Sequence, residues 1–408
     1  MKLSGSMLRN ISHNNHQYNH MKKMKVAHII TRLIVGGAQE NTLSTVLRQM
    51  NNPEFEVTLI TGPGLGPEGS LEEKARQNGV VMVTFQHMRR AINPIRDTIV
   101  LSQLISHCIT QKYDVIHTHS SKAGILGRIA GFLTHCPVVV HTIHGLPFHP
   151  YEKKWKNCMY ILLEKFCALL SDKIITVSDT MRDKALEAGV GCREQYATIY
   201  SGMDIDAFLN SGQYRDSVRK KYNINPETVV IGKIARLFHL KGHDFVIDAA
   251  RDIVKAHPNA VFLFIGGGIL ENDLKSRINS FGLNKNFIFT GLVPPTEIPK
   301  LVSAMDILVH TSLREGLARA LPQALASGKP VVTFDIDSAH EVVEDGLSGY
   351  LVKPGDSTHF VQAVNKLVAD RALREKMGAH GRSHVVPRFS DEYMADQINK
   401  LYKDILNK

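Results

Sequence analysis

Cysteine is scarce in this chain. Five are spread over 408 residues (Cys108, Cys136, Cys158, Cys167 and Cys192), an odd number with no C-x-x-C pair among them. A disulfide-stapled module and a zinc ribbon are thereby excluded, and a reducing, cytoplasmic location is expected. Long apolar runs are also missing. None reaches the ~18 residues a membrane-spanning helix needs, and the best candidate, Ile161 to Leu170, is broken by Glu164 and Lys165. Aromatic residues amount to 7% and tryptophan to one. Basic charge with so few aromatics, and without any nucleic-acid module signature, makes nucleic acid the weaker partner. The opening residues 1–23 lack the apolar core of a secretory signal; they are polar and rich in Asn and His. A disordered extension is expected there, or a start codon placed too early, since Met21 or Met24 would begin the fold cleanly.

What is present is an ordinary globular balance, 43% hydrophobic and 22% charged. A chain of this length forms two large domains or three small ones and buries a core without staples. Lysine and arginine outnumber aspartate and glutamate by 49 to 39, a formal charge of +10. That excess suits anionic lipids and phosphorylated sugars.

Strand-like and helix-like segments alternate throughout, the pattern of parallel sheets in α/β domains. Strands are expected at Lys25 to Thr31, Phe55 to Thr61, Val80 to Phe85, Val115 to Thr118, Val138 to Thr142 and Lys173 to Val177. A second series runs through Val229 to Ala235, Val261 to Ile265, Phe287 to Thr290, Ile307 to His310, Val331 to Phe334 and Gly349 to Val352. A helix closes the chain from Asp391 to Leu406. The expected architecture is therefore two Rossmann-like domains facing each other across a cleft. The first spans 24–208 and the second 209–385, with the helix of 386–408 packing back toward the first.

Three places carry chemistry. Gly36 and Gly37, between the first strand and first helix, let the backbone approach a ligand; a bare tight turn explains them equally well. The G-x-G-x-x-G fingerprint is absent at this turn, which lowers the odds of an NAD or FAD enzyme. Arg236 and Lys241 follow the first strand of the second series, where such sheets bind ligands, and combine a forked donor with a mobile point charge suited to a diphosphate. Glu315 and Gly316 open a loop–helix–strand block. Read as a helix N-terminus, it places Glu315 and Gln323 about 80° apart on one helix, near enough to serve one ligand.

With these stand His117-Thr118-His119-Ser120-Ser121-Lys122-Ala123-Gly124, His141-Thr142-Ile143-His144-Gly145, Val177-Ser178 and Ser201-Gly202-Met203-Asp204. In this order the set resembles the retaining glycosyltransferases of family 4, with a GT-B fold, from about Lys25 to the C-terminus. The resemblance implies a sugar moved from a nucleotide-sugar donor, by default a UDP-sugar, to a hydroxyl acceptor such as a lipid-linked glycan, in glycan or polysaccharide biosynthesis. Arg236 and Lys241 match the pair that holds the donor diphosphate, and Glu315 the glutamate placed against the donor sugar. The backbone of Gly316, Leu317 and Ala318 matches groups that meet sugar and phosphate. His144 matches a histidine near the reacting face, Gly36-Gly37 the loop that closes on donor or acceptor, and Val293 a backbone contact to the base. The second glutamate of the family pair falls on Gln323, which keeps an acceptor for the ribose hydroxyls but loses the charge.

No cofactor and no metal are expected. Asp204-Ile205-Asp206 and Asp335-Ile336-Asp337 spell the D-x-D of metal-dependent glycosyltransferases, but neither sits where that role is served. His117, His119, His141, His144 and His149 gather near strand ends without an H-E-x-x-H or a Cys pattern, and read as polar cleft or surface residues. Tyr151 to Leu170 sets Lys153, Lys154, Trp155 and Lys156 beside apolar residues. It reads as a helix packed on the first domain or as a patch that rests on the cytoplasmic face of an anionic membrane. A nucleotide-sugar epimerase, a sugar phosphorylase and a binding protein that has lost transfer remain as alternatives.

Overall fold

The computed structural model describes residues 23–66 and 69–407. The polar extension expected over 1–23, and with it Met21, therefore lies outside the described residues apart from its final lysine.

A parallel seven-stranded sheet forms first. It comprises β1 (Met24–Ile30), β2 (Phe55–Thr61), β3 (Val81–Thr84), β4 (Val115–His119), β5 (Val138–Ile143), β6 (Lys173–Thr176) and β7 (Tyr196–Thr198), in the order 3-2-1-4-5-6-7. A parallel six-stranded sheet follows, from β8 (Val230–Ile234), β9 (Val261–Ile265), β10 (Phe287–Phe289), β11 (Ile307–His310), β12 (Val331–Phe334) and β13 (Gly349–Val352), in the order 10-9-8-11-12-13. The strands are short apolar runs because helices cover both faces, leaving no side for polar alternation. In each sheet the order reverses once, between β1 and β4 and between β8 and β11, and a crevice opens there beyond the carboxyl ends. Two Rossmann-like sheets of this kind are the GT-B architecture.

The helix Asp391–Leu406 returns from the second half to the first. Its Asp391 receives Arg48 at 2.7 Å and the Ser44 hydroxyl at 2.6 Å, and its Tyr402 is fully buried against the first sheet. The halves also meet across the crevice. Arg319 pairs with Glu40 at 2.8 Å, and Glu341 accepts the N–H groups of Asp179 and Thr180, both at 2.8 Å.

Two local expectations are overturned. His117 and His119 are neither cleft nor surface residues: both are fully buried on β4, beneath the helices that cover the first sheet. The second concerns a helix start. Residues 311–319 form a loop, and the helix begins only at Ala320, running to Ala326. Pro322 sets that start: its ring clashes with the carbonyl four residues back, so it fits only the first turn. Glu315 and Gly316 are thus not at a helix N-terminus, and Glu315 and Gln323 do not share a helix.

Candidate active site

The loops leaving β8 and β11 touch because a glycine lets them. Gly242 has φ +63°, and a Cβ there would lie 2.0 Å from the Thr311 carbonyl oxygen. That approach brings Lys241 Nζ to 2.6 Å from Glu315 Oε1. His310 Nε2 stands 3.3 Å from the same oxygen, close enough to attract it though without hydrogen-bond geometry. Burial works against ionising Glu315, but Lys241 and His310 outweigh it and hold the carboxyl well below the usual carboxylate range. Behind them Lys233, fully buried in β8, donates to the Thr311 hydroxyl at 2.9 Å. Burial, with Lys241 nearby, pushes its ammonium down to about 7.

The Glu315 loop is pinned from both sides. Asp337 accepts its backbone N–H at 2.7 Å and pairs with Lys184 of the first half at 2.5 Å. Arg314 donates to the Leu146 carbonyl at 2.6 Å, and Ser338 to that of Gly316 at 2.9 Å. Only glycine fits at 316, because a Cβ would come within 2.0 Å of the His144 carbonyl oxygen. The N–H groups of Gly316, Leu317 and Ala318 find no acceptor among the described residues. Three successive free donors beside a cation form a site for an anionic or polar ligand.

The other expected residues are distributed around this centre. Arg236 is exposed at the β8 strand end, its guanidinium 4.9 Å from the Phe238 ring centroid. Gly36 and Gly37 open the helix Gly37–Met50, and the Gly37 carbonyl lies 3.4 Å from Arg319. His144, at the end of β5, bonds His119 at 3.1 Å, and burial with Arg319 pushes it down to about 3. Val293 is half-buried beyond β10, on a segment hooked to the loop after β9 by Gly266 N–H donating to the Gly291 carbonyl at 3.2 Å. Gln323 is half-buried in the helix Ala320–Ala326.

A cavity of about 670 Å³ lies between the halves, lined by Leu146, Thr180, Lys184, Glu315, Gly316 and Asp337 among others. A smaller one of about 270 Å³, on the first half, is lined by Ala38, Ser120, His141, His144 and Glu164. One aspartate of each D-x-D motif has a local duty. Asp204 caps the helix Ile205–Leu209 by accepting from Ala207 at 3.2 Å, and Asp337 anchors Glu315.

Residues not singled out from the sequence complete the centre: Lys233 and His310 behind Glu315, and Arg319 beside Gly37 and His144. A lysine inside the apolar run Val229 to Ile234 was the one visible signal.

The fold and this site define a class, the GT-B glycosyltransferases. The model described as "Glycosyltransferase Family 4" matches residues 35–207, and "Glycosyl transferases group 1" matches 215–384. The chain belongs to these glycosyltransferases, family 4 in type. It is 28% identical over 390 residues to an Escherichia coli UDP-Gal:alpha-D-GlcNAc-diphosphoundecaprenol alpha-1,3-galactosyltransferase, covering 95% of this chain and 98% of that one. It is 26% identical to the Staphylococcus aureus capsular polysaccharide biosynthesis glycosyltransferase CapM, covering 79% and 84%. Among solved structures, Anabaena HepE in complex with UDP and glucose superposes with a TM-score of 0.80 at 22% identity, over 93% of this chain and all of that one.

Proposed function

We propose that this protein moves a sugar from a UDP-sugar to a hydroxyl of a lipid-linked glycan, with retention of anomeric configuration, at the cytoplasmic face of a membrane. The observation that carries the reading is the Lys241–Glu315 pair beside the three free N–H groups at 316–318. The second half, 209–385, holds the donor, and the first, 24–208, the acceptor. The Escherichia coli relative supports the donor and acceptor classes, since its name joins UDP-Gal to a diphosphoundecaprenol-linked sugar.

In this reading Lys241 keeps two ammonium protons for a diphosphate oxygen while its third meets Glu315. Arg236 and the N–H groups of Gly316, Leu317 and Ala318 share the charge that develops as the nucleotide leaves. Glu315, held ionised, accepts from hydroxyls of the donor sugar and orients it. Gly36-Gly37 close over the ligand, His144 lies at the reacting face, Val293 meets the base and Gln323 the ribose. The acceptor hydroxyl enters on the face the leaving group vacates. Fixed cations stabilise the departing diphosphate, so the step is independent of a divalent metal. No protein nucleophile is assigned, and positioning with electrostatics supplies the rate.

Nucleotide release from a panel of UDP-sugars, with and without a polyprenyl-diphosphate sugar, tests the reading. Release that depends on acceptor is expected. Binding without release under any acceptor would favour the alternative that Gln323 suggests, a nucleotide-sugar-binding protein.

A further inference from the structure

Pairing of β1 with β4 sets His28 opposite His117, and strand alternation puts His119 on the same face. The helices Gly37–Met50 and Asp391–Leu406 cover that face, and all three rings are buried. They are joined in sequence to both helices and to the cleft. Gln49 Nε2 donates to Asn399 Oδ1 at 2.9 Å, and Gln49 Oε1 lies 2.7 Å from His28 Nε2. His28 Nδ1 is 3.0 Å from His119 Nε2, and His119 Nδ1 is 3.1 Å from His144 Nε2. No described residue bonds His144 Nδ1, and the ring lines the smaller cavity. His117 stands aside, its nitrogens taken by the Tyr402 and Thr142 hydroxyls.

We propose that this chain fixes the tautomer of His144, so that a bare Nδ1 faces the cleft and accepts a hydrogen bond from a substrate hydroxyl. Burial pushes His28 down to about 4, His119 well below its ordinary value and His144 to about 3, so all three are neutral near pH 7. A neutral imidazole has one N–H and one lone pair, so a row of them runs in a single sense fixed by one end. That end is the Gln49 oxygen, which only accepts. His28 therefore donates from Nε2 and accepts at Nδ1; His119 does the same; His144 donates from Nε2 to His119 Nδ1. Gln49, His28 and His119 are positioning residues, since none reaches the cleft. The recognition of a hydroxyl rests on the proposed sugar transfer, whereas the tautomer does not.

Two-bond ¹⁵N–¹H correlation spectra of the full-length protein, without substrate, read the tautomer of each ring. His144 protonated on Nε2 is expected. Gln49→Leu removes the anchor and should give both tautomers at His144, with kcat/KM down roughly fivefold. Gln49→Glu, neutral in this dry site, offers an acceptor to His28 and a donor to Asn399, and should restore the single tautomer and most of the activity. His144 protonated on Nδ1 in the unaltered protein would overturn the proposal, as would an unchanged His144 in a folded Gln49→Leu. The three rings each bring a nitrogen within 4.8 Å of the others, a spacing that also suits a metal. Stoichiometric zinc in the purified protein would equally refute the chain. If the tautomer is as stated and no sugar is transferred, the chain stands and the proposed function falls.

Discussion

Lys241 and Glu315 are 2.6 Å apart on loops that leave neighbouring strands of the second sheet, β8 and β11, at the point where strand order reverses. Neither charge is stranded: the carboxylate has the ammonium and His310 beside it, and its backbone is anchored by Asp337. The pair stands ready-formed where an α/β sheet binds ligands, so little reorganisation is needed when charge develops.

Lys241→Ala and Glu315→Ala should each lower kcat about a hundredfold, corresponding to ~3 kcal/mol of transition-state stabilisation. The melting temperature should move far less than that rate implies. Steady-state kinetics beside thermal melts check both, and normal turnover in either variant would remove the assignment.

Much of this was legible in the sequence, and the exceptions have physical causes. Twelve strands were expected within a residue or two, because parallel strands buried on both faces are unmistakable apolar runs. The strand β7 carries no sequence signal: Tyr196–Thr198 is three residues at a sheet edge, too short to show a pattern. The block that Glu315 and Gly316 open reads as a helix from its first residues, whereas Pro322 puts the start at Ala320. His310 and Lys233 could not be seen to face Glu315, since that contact depends on strand order and on the close approach at Gly242. The same holds for His28, whose partners lie on β4 and on the last helix. Asp337 reads in the sequence as part of a D-x-D motif, whereas its structural task is to hold Glu315.

Lys233 gives the protein a pH signature. Its ammonium is lowered to about 7 in the fold and titrates near 10.4 when unfolded. Between those values the unfolded chain binds more protons, so this residue makes stability rise with pH across that window. Lys233→Met should flatten the rise, which melting temperatures from pH 7 to pH 10 would show. An identical slope in the variant would mean that Lys233 stays charged in the fold.

Gln323→Glu should lower the donor KM and leave kcat within a few-fold. A carboxylate makes a charge-assisted bond to ribose hydroxyls worth roughly 1–2 kcal/mol more than an amide oxygen, or about five- to thirtyfold in affinity. Donor titrations of both proteins decide it. An unchanged KM would place Gln323 away from the ribose.

The helix Lys154–Ala168 exposes Trp155, Leu162 and Phe166, and Leu169 just beyond it is 81% exposed. No helix among the described residues is long and apolar enough to cross a membrane. Lys153 and Lys154 beside this apolar face suit anionic headgroups. Co-sedimentation with liposomes should require anionic lipid, weaken with salt, and fall when Trp155 and Leu169 are changed to serine. Binding to no composition would make this an ordinary surface helix.

The most direct test is the anomeric configuration of the product formed in chelator. With a UDP-sugar, a polyprenyl-diphosphate sugar and EDTA, proton NMR should show the newly formed linkage with the donor's own anomeric configuration, at a rate that manganese does not raise. An inverted product would contradict retention, and activity lost in EDTA and restored by manganese would contradict a diphosphate held by Arg236 and Lys241.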